Sequence, residues 1–294
     1  GGRLFSTADE ETAKFGADVA PGVFPRTVTH ANGTTTIPAA PQRVVVLDSG
    51  ELDSVLTSAS PRRDGHAEPH RASYLADKVA GVPIVGETGT IDIEAVAAAK
   101  PDLILGSKLR VDQLYPKLSA IAPTVFSIRP GFPWKEDFLL VGAALGREDA
   151  AVATLNAYQE KANAVRAALP GEAPTISLVR FMPGRIRLYG NLSMIGVVLK
   201  DVGLPRPQVQ DVQELATEVS EERIDTADAD WIFYSSYGPP AQTAQAPSST
   251  GSCGPASPPS KQATCAPSRE VWFLGLGPTG VMRVLDDLPK LLAS

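Results

Sequence analysis

The chain has 294 residues, 43% hydrophobic and 20% charged, with a net charge of −6. That length suits one large or two medium domains, each able to bury its own core. A negative balance, with no Lys/Arg cluster interleaved with aromatics, argues against nucleic acid, and no apolar run reaches the roughly 18 residues that span a bilayer. The chain opens on Gly1-Gly2-Arg3-Leu4-Phe5, without Met, and has no charged-then-apolar leader. A processed or truncated chain is expected, with any signal peptide or lipid-anchor cysteine upstream.

Residues 1–24 are polar and lack clear periodicity, which predicts a flexible N-terminal arm. Thr27–Ile37 alternates around Asn32-Gly33, a strong hairpin signal. Arg43–Asp48 reads as a buried parallel strand ending in a polar residue, and Glu51–Leu56 starts a helix. The pattern then repeats: strand Val82–Val85, helix Asp92–Ala99, strand Asp102–Gly106, helix Gln113–Ile121, strand Thr124–Ile128. Strand and helix alternating at this spacing predict βαβ units and a parallel sheet.

Glu136–Ala144 and Arg147–Leu169 are rich in strong helix formers, with Gly146 a weak interruption. Together they predict a helix long enough to join two domains as a rigid spine, assigned to residues 133–170. After Pro174 the α/β rhythm resumes: strands Thr175–Phe181 and Arg185–Tyr189, helix Met194–Val202, a helical turn Glu222–Thr226, strand Asp230–Tyr234 and a last helix Gly280–Ala293. The expected architecture is α/β, with two Rossmann-like lobes at 25–132 and 171–294.

Four segments carry a resemblance. They are Pro41-Gln42-Arg43-Val44-Val45-Val46-Leu47-Asp48; Ile91-Asp92-Ile93-Glu94-Ala95-Val96 with Lys100-Pro101-Asp102-Leu103-Ile104; Val219-Ser220-Glu221-Glu222-Arg223-Ile224 with Ala229-Asp230-Trp231-Ile232-Phe233; and Trp272-Phe273-Leu274-Gly275-Leu276-Gly277-Pro278 before the last helix. In this order, around a long central helix, they resemble the helical-backbone class of periplasmic binding proteins, which serve siderophores, haem and cobalamin. The resemblance covers residues 25–294. It implies a ligand cleft between the lobes, a ferric siderophore as ligand, no cofactor, no catalysis, an extracytoplasmic or lipid-anchored location, a monomer, and an ABC transporter permease as partner. It also implies one surface Glu per lobe, Glu94 and Glu222, that meets the permease; Glu221 is the competitor for Glu222.

Two segments depart from the family pattern, 58–64 and the Ser/Pro/Gly-rich 247–269, which holds Cys253 and Cys265. In an exported protein two cysteines default to a disulfide, and the composition reads as a surface insertion. One permitted codon choice for Gly251–Arg269, read in a shifted frame, gives Val-Leu-Trp-Ala-Gly-Leu-Ala-Ala-Val-Lys-Ala-Gly-His-Val-Arg-Ala-Val-Ser. That resembles the helix and strand the family has there. The same operation on Ser58–Arg62 permits Leu-Gly-Ile-Thr-Pro. Paired frameshifts, in the gene or in the recorded sequence, are therefore expected, and Arg62, Arg63 and both cysteines receive no functional weight.

A ferric siderophore already surrounds its iron with oxygens. Its receptor needs aromatic walls and cations aimed at those oxygens, for which the planar, always-charged Arg fork is suited. Ligands of open α/β sheets bind beyond the carboxyl ends of strands. Arg180 lies near such an end. Arg185, Arg187 and Tyr189 follow, the last two sharing a face by period two. Tyr234, Tyr237 and Trp272 lie at strand ends or loops of the second lobe; Arg71, Tyr74, Lys108 and Arg110 follow strand ends of the first; Trp134 opens the spine. The expected ligand set is Arg180, Arg187, Tyr189, Trp134, Tyr237, Trp272, Arg71 and Lys108. Asp48 and Glu51 are further candidates, unless Asp48 only caps a helix.

The chain holds His30, His66 and His70. His66 and His70 are four apart, but Pro69 argues against a helix that would align them, and His30 belongs to the hairpin. Bare zinc or manganese capture is therefore disfavoured, with haem or cobalamin the nearer alternative. No Walker A, Gly-x-Ser-x-Gly, His-Glu-x-x-His or dinucleotide fingerprint is present.

Overall fold

The computed structural model describes residues 2–7, 10–58, 62–68, 73–169, 171–236, 264–267, 270–273 and 277–292. Its contacts divide it into two α/β units, Gly1–Tyr158 with Gly275–Met282 and Gln159–Leu274 with Arg283–Ser294.

Unit 1 begins with a small antiparallel sheet of β1 (Gly16–Ala17), β2 (Arg26–His30) and β3 (Gly33–Ile37). The expected hairpin is β2–β3, with His30 opposite Gly33 and Gly33 at φ 110°, where glycine is favoured. The predicted arm is tied down at several points. Gly16 and Ala17 pair with Thr29 and Val28, Phe5 is buried, and the Leu4 amide donates to Asn156 Oδ1 at 2.8 Å.

The chain then runs β4 (Arg43–Val46), α1 (Ser49–Thr57), β5 (Arg62–Glu68), β6 (Ile84–Glu87), β7 (Thr90–Ile91), α2 (Ile93–Ala98), β8 (Leu103–Ser107), α3 (Lys108–Val111), α4 (Tyr115–Ile121), β9 (Thr124–Ser127) and α5 (Trp134–Leu145). The strands form one sheet in the order β7-β6-β5-β4-β8-β9, parallel except for β7 against β6. Both faces are covered, which is why these strands read as continuous apolar runs. Val44, Val46, Leu103, Leu105 and Val125 pack with Leu140 and Val141 of α5 on one side. Val45, Leu47, Ile104 and Phe126 pack with Val96 and Leu118 on the other. β5 was not expected, because Arg-Arg-Asp-Gly-His-Ala-Glu carries no strand pattern.

The predicted spine is carried by a long helix, α6, which a separate α5 precedes. Gly146, in the left-handed region at φ 70°, closes α5 as a C-terminal glycine does, and α6 (Glu148–Ala168) starts afresh. The 21 residues of α6 span about 30 Å at 1.5 Å per residue, and the boundary between the units falls inside this helix. Buried Arg26 spans the junction, donating to Ala143 O at 2.8 Å and to Glu148 Oε1 at 2.8 Å.

Unit 2 contains β10 (Ile176–Met182), β11 (Arg185–Tyr189), α7 (Met194–Val202), β12 (Ala216–Val219), β13 (Trp231–Ser236), β14 (Thr264–Pro267) and most of the last helix, α8 (Pro278–Leu292). Its sheet runs β12-β11-β10-β13-β14. Val179, Phe181, Ile186, Leu188 and Ile232 form a core on one face with Ile224 and Ala227.

The repeated signature has a common physical basis. In unit 1 the Asp102 carboxylate accepts the amides of Gln42 and Arg43 at 2.8 and 2.9 Å, fixing the start of β4 against β8. In unit 2 Asp230 accepts the Thr175 amide at 2.9 Å, fixing β10 against β13. Each aspartate satisfies backbone donors that a parallel ladder leaves open at its mouth.

Candidate functional site

Unit 2 places a row of charge across its sheet. Arg180 on β10 is directly opposite Arg187 on β11, and Met182 opposite Arg185. Arg187 is opposite Glu218 on β12, and Arg180 pairs with Ser235 on β13. Residues directly opposite project to the same face, so Arg180, Arg185, Arg187, Glu218 and Ser235 share the face away from the Val179–Ile186 core. Arg180 is 7% exposed, its guanidinium 5.6 Å from the Phe273 ring centre. Glu218 Oε1 lies 3.4 Å from Arg185 Nη1 and 3.5 Å from Arg187 Nη2. Burial works against the Arg187 charge, but the Tyr189 hydroxyl and Glu218 outweigh it and raise its pKa above the ordinary value.

Three of the expected ligand residues, Arg180, Arg187 and Tyr189, are thus brought onto one face. Tyr189 is buried there, edge-on to Phe273 at 5.0 Å. Trp272 is corrected. It is fully buried, packs edge-on against Phe233 at 5.0 Å, and donates from Nε1 to Asp287 Oδ2 at 2.9 Å. It anchors α8 in the core and leaves no ring face for a ligand. Trp134 is corrected likewise, at 1% exposure and edge-on to Tyr158 at 4.8 Å. Tyr234 faces the opposite side, against Phe181. Arg71 and Tyr237 lie outside the described residues. Arg206, not singled out in the sequence, has a structural role, donating to Ile176 O at 2.9 Å and Gln210 Oε1 at 2.7 Å; burial lowers its pKa to about 10.

Unit 1 gathers polar groups at the carboxyl ends of β4, β8 and β9, where such sheets take ligands. Asp48 sits at the N-terminal boundary of α1 but makes no side-chain capping bond. Instead it accepts from Ser107 Oγ at 3.3 Å and Arg110 Nε at 3.4 Å. Glu51 accepts from Ser127 Oγ at 2.8 Å. Both carboxyls are buried. Burial, then the neighbouring Asp48 charge, pushes the Glu51 pKa from 4.5 up to about 8, and burial raises Asp48 despite Arg110. Arg110 remains about half exposed, and Lys108 stands exposed at the start of α3. Arg129, just past β9, lies 5.2 Å from the Phe132 ring centre; its place one residue beyond a strand end was the signal available in the sequence.

Two other residues have structural roles. Asp53 accepts the amides of Thr279 and Gly280 at 2.9 and 3.0 Å and the Tyr74 hydroxyl at 2.5 Å, holding the first turn of α8. His30 accepts the Phe126 amide on Nδ1 at 3.2 Å, so Nε2 carries the proton and donates to Thr35 Oγ1 at 2.8 Å, which itself donates to Thr124 O. Burial lowers its pKa to about 4. Both ring nitrogens are engaged, which removes His30 as a ligand for a bare metal ion.

Glu94 is exposed in the first turn of α2, whose N-cap Asp92 accepts the Ala95 amide at 3.1 Å. Glu222 is exposed in the short, kinked 3-10 helix Glu221–Ala227, while Glu221 is partly covered.

Residues 55–248 match the family profile of periplasmic binding proteins. The chain is 34% identical over 226 residues to the probable siderophore-binding lipoprotein YfiY of Bacillus subtilis, covering 72% of this chain and 69% of that one. It is 31% identical to the achromobactin-binding periplasmic protein of Dickeya dadantii, covering 69% and 70%. The structure superimposes on Staphylococcus aureus SirA complexed with staphyloferrin B with a TM-score of 0.76, at 28% identity, covering 91% of this chain and 98% of that one. The chain belongs to the periplasmic binding protein family.

Proposed function

We propose that this protein is the extracytoplasmic receptor of an iron-uptake ABC transporter, monomeric, binding a ferric siderophore and delivering it to a membrane permease. The observation that carries the reading is Arg180 directly opposite Arg187, with Arg185 beside them. Like charges directly opposite on a sheet face destabilise it, and an anionic ligand offsets that cost. The Phe273 ring lies against Arg180, its centre 5.6 Å from the guanidinium, and favours the charge there. In unit 1, Lys108 and Arg110 supply further cations at strand ends, with Asp48 holding Arg110. The iron arrives inside its chelate as cargo, so the protein supplies no metal ligand.

Glu94 and Glu222 are the permease contacts in this reading, one exposed carboxylate on each unit; the partial burial of Glu221 favours Glu222. The Glu94→Ala/Glu222→Ala double variant is expected to bind ligand normally but fail to support uptake. Loss of ligand affinity in that variant overturns the assignment. The receptor reading itself is tested by fluorescence quenching with ferric hydroxamate, ferric catecholate, ferric citrate, haem, cobalamin and zinc. Saturable quenching by a ferric chelate and none by zinc is expected; a response to zinc alone refutes it.

A further inference from the structure

We propose that Glu218 is an internal carboxylate that occupies the guanidinium forks of Arg185 and Arg187 in the ligand-free protein, and that a free carboxylate of the incoming ferric chelate takes its place. This rests on the ligand reading of the arginine row. Glu218 stands directly opposite Arg187, with one oxygen, Oε1, within 3.5 Å of both Arg185 and Arg187. Its side chain is 47% exposed on β12, the edge strand of the sheet. A contact so exposed is weak and readily exchanged. The fork of an arginine matches a carboxylate in shape and charge, so the group already seated there indicates the chemistry the forks select. Arg180 stands directly opposite Arg187 in the same row. The chelate class that fits is an anionic, carboxylate-bearing one; a charge-neutral ferric trihydroxamate has nothing to exchange with Glu218.

Glu218 therefore limits affinity and sets selectivity, because every anionic ligand competes with it. The test compares wild-type protein with Glu218→Gln, titrated with ferric citrate and, separately, with a charge-neutral ferric trihydroxamate. Glu218→Gln is expected to bind ferric citrate roughly fivefold tighter, the range set by loss of an exposed ion pair, with trihydroxamate binding unchanged. Ferric-citrate affinity that is equal or lower in Glu218→Gln overturns the inference while leaving the receptor reading intact. So does wild-type binding of the trihydroxamate alone. Wild-type protein that binds no ferric chelate overturns both.

Discussion

Replacing Glu51 with Gln should change how the stability of unit 1 depends on pH. Glu51 is buried beside Asp48, and its pKa is raised from 4.5 to about 8. Unfolded, it ionises near its ordinary value; folded, it stays protonated to about pH 8. Between those values the folded state holds one more proton than the unfolded state, so Glu51 makes stability fall as pH rises, at up to about 1.4 kcal/mol per pH unit. Below the lower value the carboxyl is neutral in both states and the penalty vanishes. Gln keeps the shape and the acceptor for Ser127 Oγ but cannot ionise. From about pH 5.5 to about pH 7.5, Glu51→Gln should gain roughly 2–3 kcal/mol relative to wild type. Because the Asp48 charge acts on Glu51, the difference between the two proteins reads the pair and not Glu51 alone. Urea unfolding followed by Trp134 fluorescence, in a Trp231→Phe/Trp272→Phe background, reads the transition of unit 1. Parallel pH profiles for the two proteins would show that Glu51 is ionised in the fold, and the reasoning would fail.

Arg180→Ala removes a nearly buried guanidinium from the arginine row and should weaken binding of an anionic ferric chelate by roughly 10–100-fold, the range for a charge-assisted hydrogen bond; unchanged affinity by calorimetry removes Arg180 from the site. Asp53→Ala leaves the Thr279 and Gly280 amides and the Tyr74 hydroxyl without their acceptor and should cost about 3 kcal/mol; an unaltered urea midpoint contradicts the role assigned to it. Peptide mass spectrometry of the protein should return the shifted reading for 251–269. In the shifted frame Val-Arg-Ala-Val takes the positions of β14, a more strand-like run than Thr-Cys-Ala-Pro. Peptides containing Cys253 and Cys265 would rule out an error in the recorded sequence, leaving a frameshift in the gene; Cys253 itself lies outside the described residues.

The sequence by itself determined the α/β class, because a sheet covered on both faces writes each strand as an apolar run, as in Val44-Val45-Val46-Leu47, and each covering helix as a 3.6-residue period. It also determined the second unit, since Asp102 and Asp230 recur in the same local motif for the same backbone reason. It placed Arg187 and Tyr189 on one face, a consequence of pleat alone. Whether the interruption at Gly146 continues or closes a helix depends on packing: here buried Arg26 bonds to α5 and α6 from 117 and 122 residues away. Tertiary structure alone decided the rest. Trp134 and Trp272 look like binding aromatics by position, but burial claims them for the core. Asp48 looks like a cap, but the side chain turns to Ser107 and Arg110, which arrive from β8 and α3. Glu218 meets Arg187 only through the β11–β12 register, across 31 residues of chain. Periodicity assigns each of these side chains a face; which partner waits on that face is set by strand order, and strand order is a property of the folded sheet.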